Sequence, residues 1–115
     1  GSKNITLEIP GGLVDDESPE NAALRELLEE TGYQGDNVTY LGATNPNPAI
    51  FNNLCHTFLV RNVKKVSETN LDDNEDIEVT LKPIEEIPSL IADGSINHAL
   101  VIIAFHFYFS RQSQF

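Results

Sequence analysis

Three glutamates, Glu26, Glu29 and Glu30, are the residues whose type and spacing point most directly to chemistry. On a helix, positions three and four apart share a face, so Glu26 can converge with Glu29 and Glu30 on one point beside the helix instead of spreading around it. Three converging carboxylates call for a cation. Oxygen-only ligands select a hard ion, Mg²⁺ or Mn²⁺, and Mg²⁺ holds few protein ligands and binds substrate phosphate oxygens with the rest. The competing reading is a solvated face laced with i,i+4 ion pairs, Arg25 to Glu29 being one of them.

The element that must position these acids is a helix over 19–31. Ala22, Ala23, Leu27 and Leu28 supply an apolar stripe for burial, and Arg25 and the three glutamates take the rest of the wheel. Ser18 is a suitable N-cap, Pro19 suits the first helical position, and Gly32 suits the C-cap. Upstream, the alternating run Thr6-Leu7-Glu8-Ile9 reads as a strand ending at Pro10-Gly11-Gly12. Two glycines after a strand allow a tight backbone path with carbonyls turned toward a ligand.

In order, these residues are Gly11, five residues, Glu17, seven residues, Arg25-Glu26-Leu27, one residue, Glu29-Glu30, one residue, Gly32-Tyr33. That pattern resembles the signature of the Nudix hydrolases. Family members commonly read Gly-Gly, four residues, Gly-Glu before the helix. Here the loop is GGLVDDE, one residue shorter, with Gly11 in the place of the expected second glycine. The resemblance implies that Glu26 and Glu30 are the principal metal ligands, that Glu29 is a further ligand or a base, and that the Gly11 carbonyl is a backbone ligand. It also implies that Arg25 and Glu17 pair to hold the loop against the helix.

Length and composition narrow the alternatives. At 115 residues, 40% of them hydrophobic, the chain is expected to form one domain over 1–115. A formal charge of −11 argues against unaided binding to nucleic acid or an anionic membrane, although a polyphosphate can still bind through a metal. The lone Cys55 excludes an internal disulfide. No apolar N-terminal stretch suggests a secretory signal, and the apolar run 99–109 is too short to span a bilayer, so a cytoplasmic location is expected. Gly1-Ser2 reads as a cloning scar or as natural sequence. Because Nudix domains normally carry two or more strands ahead of the one before the motif, either further N-terminal sequence or a partner segment is expected to complete the sheet. The expected partner is a small-molecule nucleotide, and a homodimer is admitted as an assembly.

Beyond the helix, Gly35-Asp36-Asn37 turns the chain and 38–43 reads as a strand. Segment 44–49 carries Pro46 and Pro48 and is therefore a loop, leading into a strand over 54–60. Such a stiffened loop suits a substrate wall, and many ADP-ribose and nucleotide-sugar hydrolases of the resembled family have a proline at about this distance; stiffening alone also explains two prolines. His56, on a face with Leu54 and Phe58, reads as a packed, hydrogen-bonded residue. The polar stretch 67–75 reads as a solvated loop. In the ADP-ribose hydrolases the corresponding loop supplies an acid as metal ligand or general base, which makes Asp73 and Glu75 candidates by resemblance. Segment 77–81 alternates as a strand up to Pro83, followed by a turn at 84–87, a short helix with Pro88 in its first turn, and an apolar helix over 97–110.

Strands alternating with three helices give an α/β sandwich of the α+β kind, agreeing with the resembled fold of a mixed sheet between helices. The expected reaction is metal-dependent hydrolysis of a nucleoside diphosphate linked to another moiety, preferentially ADP-ribose or a nucleotide sugar, giving a nucleoside monophosphate and a sugar phosphate. A nucleoside-triphosphate pyrophosphatase, a catalytically silent nucleotide sensor and a purely structural domain are the other readings.

Overall fold

The computed structural model describes residues 7–12, 16–47, 54–68 and 77–114. Along the chain come α1 (Pro19–Thr31), β1 (Tyr33–Gln34), β2 (Asn37–Thr44), β3 (Cys55–Arg61) and β4 (Lys64–Lys65). They are followed by a 3₁₀ turn (Ile84–Glu86), α2 (Ile87–Ala92), α3 (Ala99–Ser110) and a second 3₁₀ turn (Gln112–Gln114). Helices combined with antiparallel strands place the chain in the expected α+β class. Among the described residues no helix is long and apolar enough to cross a membrane.

β2 and β3 pair antiparallel, from Asn37 opposite Arg61 to Thr44 opposite Cys55. β1 and β4 pair in the same register, with Tyr33 opposite Lys65, so the two ladders form one antiparallel ribbon interrupted at 35–36 and 62–63. The interruption has a cause on each side. Asn62 adopts φ 58°, a left-handed conformation that asparagine tolerates better than most residues, and a Cβ on Gly35 would meet Val60 Cγ1 at 2.8 Å. The β1–β4 pair lies outside the two expected strands, 38–43 and 54–60, because Lys64 and Lys65 carry no apolar pattern.

A bulge between Tyr40 and Gly42 shifts the β2–β3 register and disturbs the ladder there. Arg111, just past α3, takes up the carbonyls at that point: its Nη1 donates to Tyr40 O at 2.6 Å and to Leu41 O at 3.1 Å. Bare Gly42 faces the Phe107 ring, which a Cβ would meet at 3.0 Å, so α3 seats directly on the bulge. Arg111→Ala is therefore expected to lower stability by about 1 kcal/mol, the worth of a charge-assisted bond partly open to water. Urea unfolding should show an earlier midpoint with an unchanged slope.

The core lies at the other end of the chain. Ile87, Ile96 and Val101 are buried together, with Leu7, Leu90, Phe105 and Phe109 packed against them. α2 starts with Pro88 in its first turn, as expected, and its exit is closed by Ile96 N–H donating to Leu90 O at 3.0 Å. α3 begins at Ala99, where the apolar run starts and two residues later than the expected helix over 97–110, because His98 is the cap: its Nδ1 accepts from Leu100 N–H at 3.1 Å.

Two expected strands are corrected. Segment 77–81 has no regular secondary structure, and neither do residues 7–9 of the N-terminal run. Alternation marks a segment fit for a sheet, but a strand exists only when a neighbour supplies its ladder bonds. Leu7 N–H instead donates to Ser95 O at 3.0 Å, and Ile77, Val79 and Leu81 are exposed. Residues from both segments, including Leu7, Ile9, Thr80 and Lys82, border a cavity of about 190 Å³ beside Ile84 and Phe105.

Candidate active site

α1 has the caps that its sequence requires. Ser18 is extended at φ −67° and ψ 154°, its Oγ accepts from Asn21 N–H at 3.1 Å, and Pro19 opens the helix. Gly32 ends it in the left-handed region at φ 78°, with its N–H donating to Leu28 O at 2.8 Å. A side chain there would be strained, and it would also run into Ser67 O. The Gly32 carbonyl accepts from Val66 N–H at 2.8 Å, tying the helix end to the ribbon just beyond β4. Ala22 is the buried point of the stripe, while Leu27 and Leu28 are half-buried.

With the helix fixed, its polar face gathers around one guanidinium. Arg25 Nε donates to Glu17 Oε1 at 2.7 Å and Nη2 meets the same oxygen at 2.7 Å. Nη1 donates to Glu26 Oε1 at 2.8 Å and to Glu29 Oε2 at 3.3 Å. The Glu17 bond raises the Arg25 pKa further above its already high ordinary value; partial burial opposes this, and the Glu26 bond and both negative charges add to it. Arg25 is therefore a cation at any working pH. The expected Arg25–Glu17 pair is present, and so is the Arg25–Glu29 pair of the surface reading. One arginine makes both, and the two readings do not exclude each other.

The glycine loop reaches the same face. Gly11 N–H donates to Glu30 Oε2 at 2.9 Å, so Gly11 meets this acid through its amide. Gly12 lies directly against the Glu26 carboxylate, whose Oε1 and Cδ occupy the space that a Cβ would need. Helical spacing and motif order assign Gly12 no separate role. The signal was the glycine doublet itself, since a second bare residue beside a helix carrying carboxylates marks a close approach.

The structure thus brings together Gly11, Gly12, Glu17, Arg25, Glu26, Glu29 and Glu30. Pro46 is exposed just past β2, in a turn where Asn47 N–H donates to Asn45 Oδ1 at 3.1 Å. Pro48, Asp73 and Glu75 lie outside the described residues. His56 stands on β3 with its Nδ1 3.4 Å from the Tyr40 hydroxyl, beside an edge-on contact of Tyr40 with Phe58.

The donor set suits a hard divalent cation: carboxylate oxygens on one helix face, with a bare-backbone cradle holding one of them. Among the described residues, no three His, Cys, Asp or Glu side chains stand together closely enough to hold a metal as they are. Glu26 and Glu29 are instead bonded to Arg25, and Glu30 to Gly11.

Comparison with known proteins agrees with this arrangement. Residues 2–105 match the family described as the NUDIX domain. The chain belongs to the Nudix family. Among its relatives, the GDP-mannose pyrophosphatase of Yersinia enterocolitica is 35% identical over 102 residues, covering 86% of this chain and 53% of that protein. The ADP-ribose pyrophosphatase of Bacillus subtilis is 32% identical over 103 residues, 88% of this chain and 56% of that protein. The GDP-mannose pyrophosphatase of Yersinia pestis is 33% identical over 105 residues, 89% of this chain and 52% of that protein. The chain spans about half the length of these curated relatives. Nudix hydrolases generally need a divalent metal.

Proposed function

We propose that this Nudix chain, as a single domain, hydrolyses the diphosphate bond of a nucleoside diphosphate linked to another moiety, with ADP-ribose or a nucleotide sugar preferred. The products are a nucleoside monophosphate and a sugar phosphate. The carrying observation is the joined set of loop and helix: Arg25 holds Glu17, Glu26 and Glu29, while Gly11 and Gly12 bear on Glu30 and Glu26. The substrate class is supported by the names of the relatives, GDP-mannose and ADP-ribose pyrophosphatases, whose substrates are both sugar-linked nucleoside diphosphates.

Glu26 and Glu30 would be the principal ligands for Mg²⁺, with Mn²⁺ as a substitute, and Glu29 would be a further ligand or the base. The Gly11 carbonyl is assigned as a backbone ligand. When bound, the divalent ion would neutralise charge on the diphosphate and lower the pKa of a water for in-line attack on phosphorus. The chain's own residues set this up beforehand. The Gly11 amide fixes one oxygen of Glu30, the bare Gly12 backbone gives Glu26 its seat, and the Arg25–Glu17 pair fastens the residues before the helix to its outer face. Asp73 or Glu75 supplies an additional acid as ligand or general base, and Pro46 and Pro48 form a wall for the substrate.

A panel of ADP-ribose, nucleotide sugars and nucleoside triphosphates, run on the full protein with Mg²⁺ and with Mn²⁺, tests this reading. Turnover should be fastest on the sugar-linked diphosphates. Activity confined to triphosphates would overturn the substrate assignment, and absence of any turnover would overturn the assignment as an enzyme.

A further inference from the structure

The bonds around Arg25 are unequal, and that inequality suggests an order in which they break. Nε and Nη2 converge on a single oxygen of Glu17 at 2.7 Å each. Nη1 divides its bonding between Glu26 at 2.8 Å and Glu29 at 3.3 Å. Glu26 is the more enclosed of these two, its side chain 16% exposed and lodged against Gly12; that of Glu29 is 39% exposed. Among the described residues Arg25 bridges three carboxylates, and Glu29 is the one held most loosely.

We propose that Arg25 is a built-in counter-cation that occupies Glu26 and Glu29 until a divalent ion arrives, and that Nη1 then releases Glu29 while Glu17 keeps the other edge of the guanidinium as a fixed pivot. The inference rests on the reading of Glu26, Glu29 and Glu30 as metal-binding acids. It accounts for their not standing together as a ready-made metal cluster among the described residues. Without a counter-charge, acids at i, i+3 and i+4 repel one another and weaken the helix that carries them. A resident guanidinium removes that cost in the metal-free protein. Its forked geometry lets one edge stay bonded as the other lets go. Metal binding is then an exchange of cations on Glu29, and its apparent affinity includes the loss of the Nη1–Glu29 bond.

The chain has three arginines, so side-chain ¹⁵N signals of the full protein can be followed individually while MgCl₂ alone is added, with calorimetry in parallel. The Arg25 Nη signals should move with Mg²⁺ occupancy and the Nε signal, held by Glu17, should stay. Arg25→Gln, which removes the competing charge, should bind Mg²⁺ about threefold more tightly, the size expected for losing a partly exposed ion pair. Glu17→Gln, which releases the pivot and strengthens the hold of the guanidinium on Glu26 and Glu29, should bind it more weakly. Mg²⁺ binding by calorimetry with unmoved Nη signals, or weaker binding by Arg25→Gln, would overturn the proposal and leave the metal assignment standing. No Mg²⁺ binding by the wild type would overturn both.

Discussion

Glu30→Gln is expected to abolish turnover while leaving the fold intact. The substituted amide keeps a carbonyl oxygen to accept the Gly11 N–H, so the loop-to-helix bond at 2.9 Å survives and thermal stability without metal should change little. What is lost is negative charge where the divalent ion is assigned. A metal contributes several kcal/mol to stabilising charge in such a reaction, so kcat/KM should fall by about 10³-fold. Calorimetry should show a parallel loss of Mg²⁺ affinity. Retained activity with retained metal binding would remove Glu30 from the ligand set.

The second large effect separates two adjacent glycines. A Cβ on Gly11 meets nothing within 4 Å, whereas one on Gly12 collides with the Glu26 carboxylate. Gly11→Ala should therefore be nearly silent, and Gly12→Ala should push Glu26 from its seat. The colliding atoms belong to the end of a flexible side chain, so the protein should still fold, but with its ligand misplaced. A loss of about 10- to 100-fold in metal affinity and kcat/KM is expected, as for other residues that orient a ligand. Equal effects of the two alanine substitutions would show that the Gly12–Glu26 contact does not set the ligand's position.

Where the sequence carried enough information, it was local information. The caps of α1 and its limits at Pro19 and Thr31 follow from residues within a few turns of one another, the pairing of Arg25 with Glu17 follows from the family resemblance, and the structure has all three. The strands over 38–43 and 54–60 are legible from the turn at Gly35-Asp36-Asn37 and the proline loop that bound them, and the two pair in a ladder. Segment 77–81 alternates strictly and is no strand, since pairing depends on a partner that its own residues do not specify. The Lys64–Lys65 strand was invisible for the converse reason: it continues an established register without any apolar pattern of its own. At the site, the acids were legible from helical spacing. The role of Gly12 was not, because close packing of a backbone against a carboxylate 14 positions along the chain leaves only the absence of a side chain as its trace.

The proposed chemistry is tested most directly by identifying the products formed when the full protein, loaded with Mg²⁺, acts on the sugar-linked nucleoside diphosphate that it turns over fastest. Cleavage within the diphosphate should give a nucleoside monophosphate and a sugar phosphate in equal amounts, with none formed by Glu30→Gln. Release of free sugar with an intact nucleoside diphosphate, or undiminished product from Glu30→Gln, would contradict it.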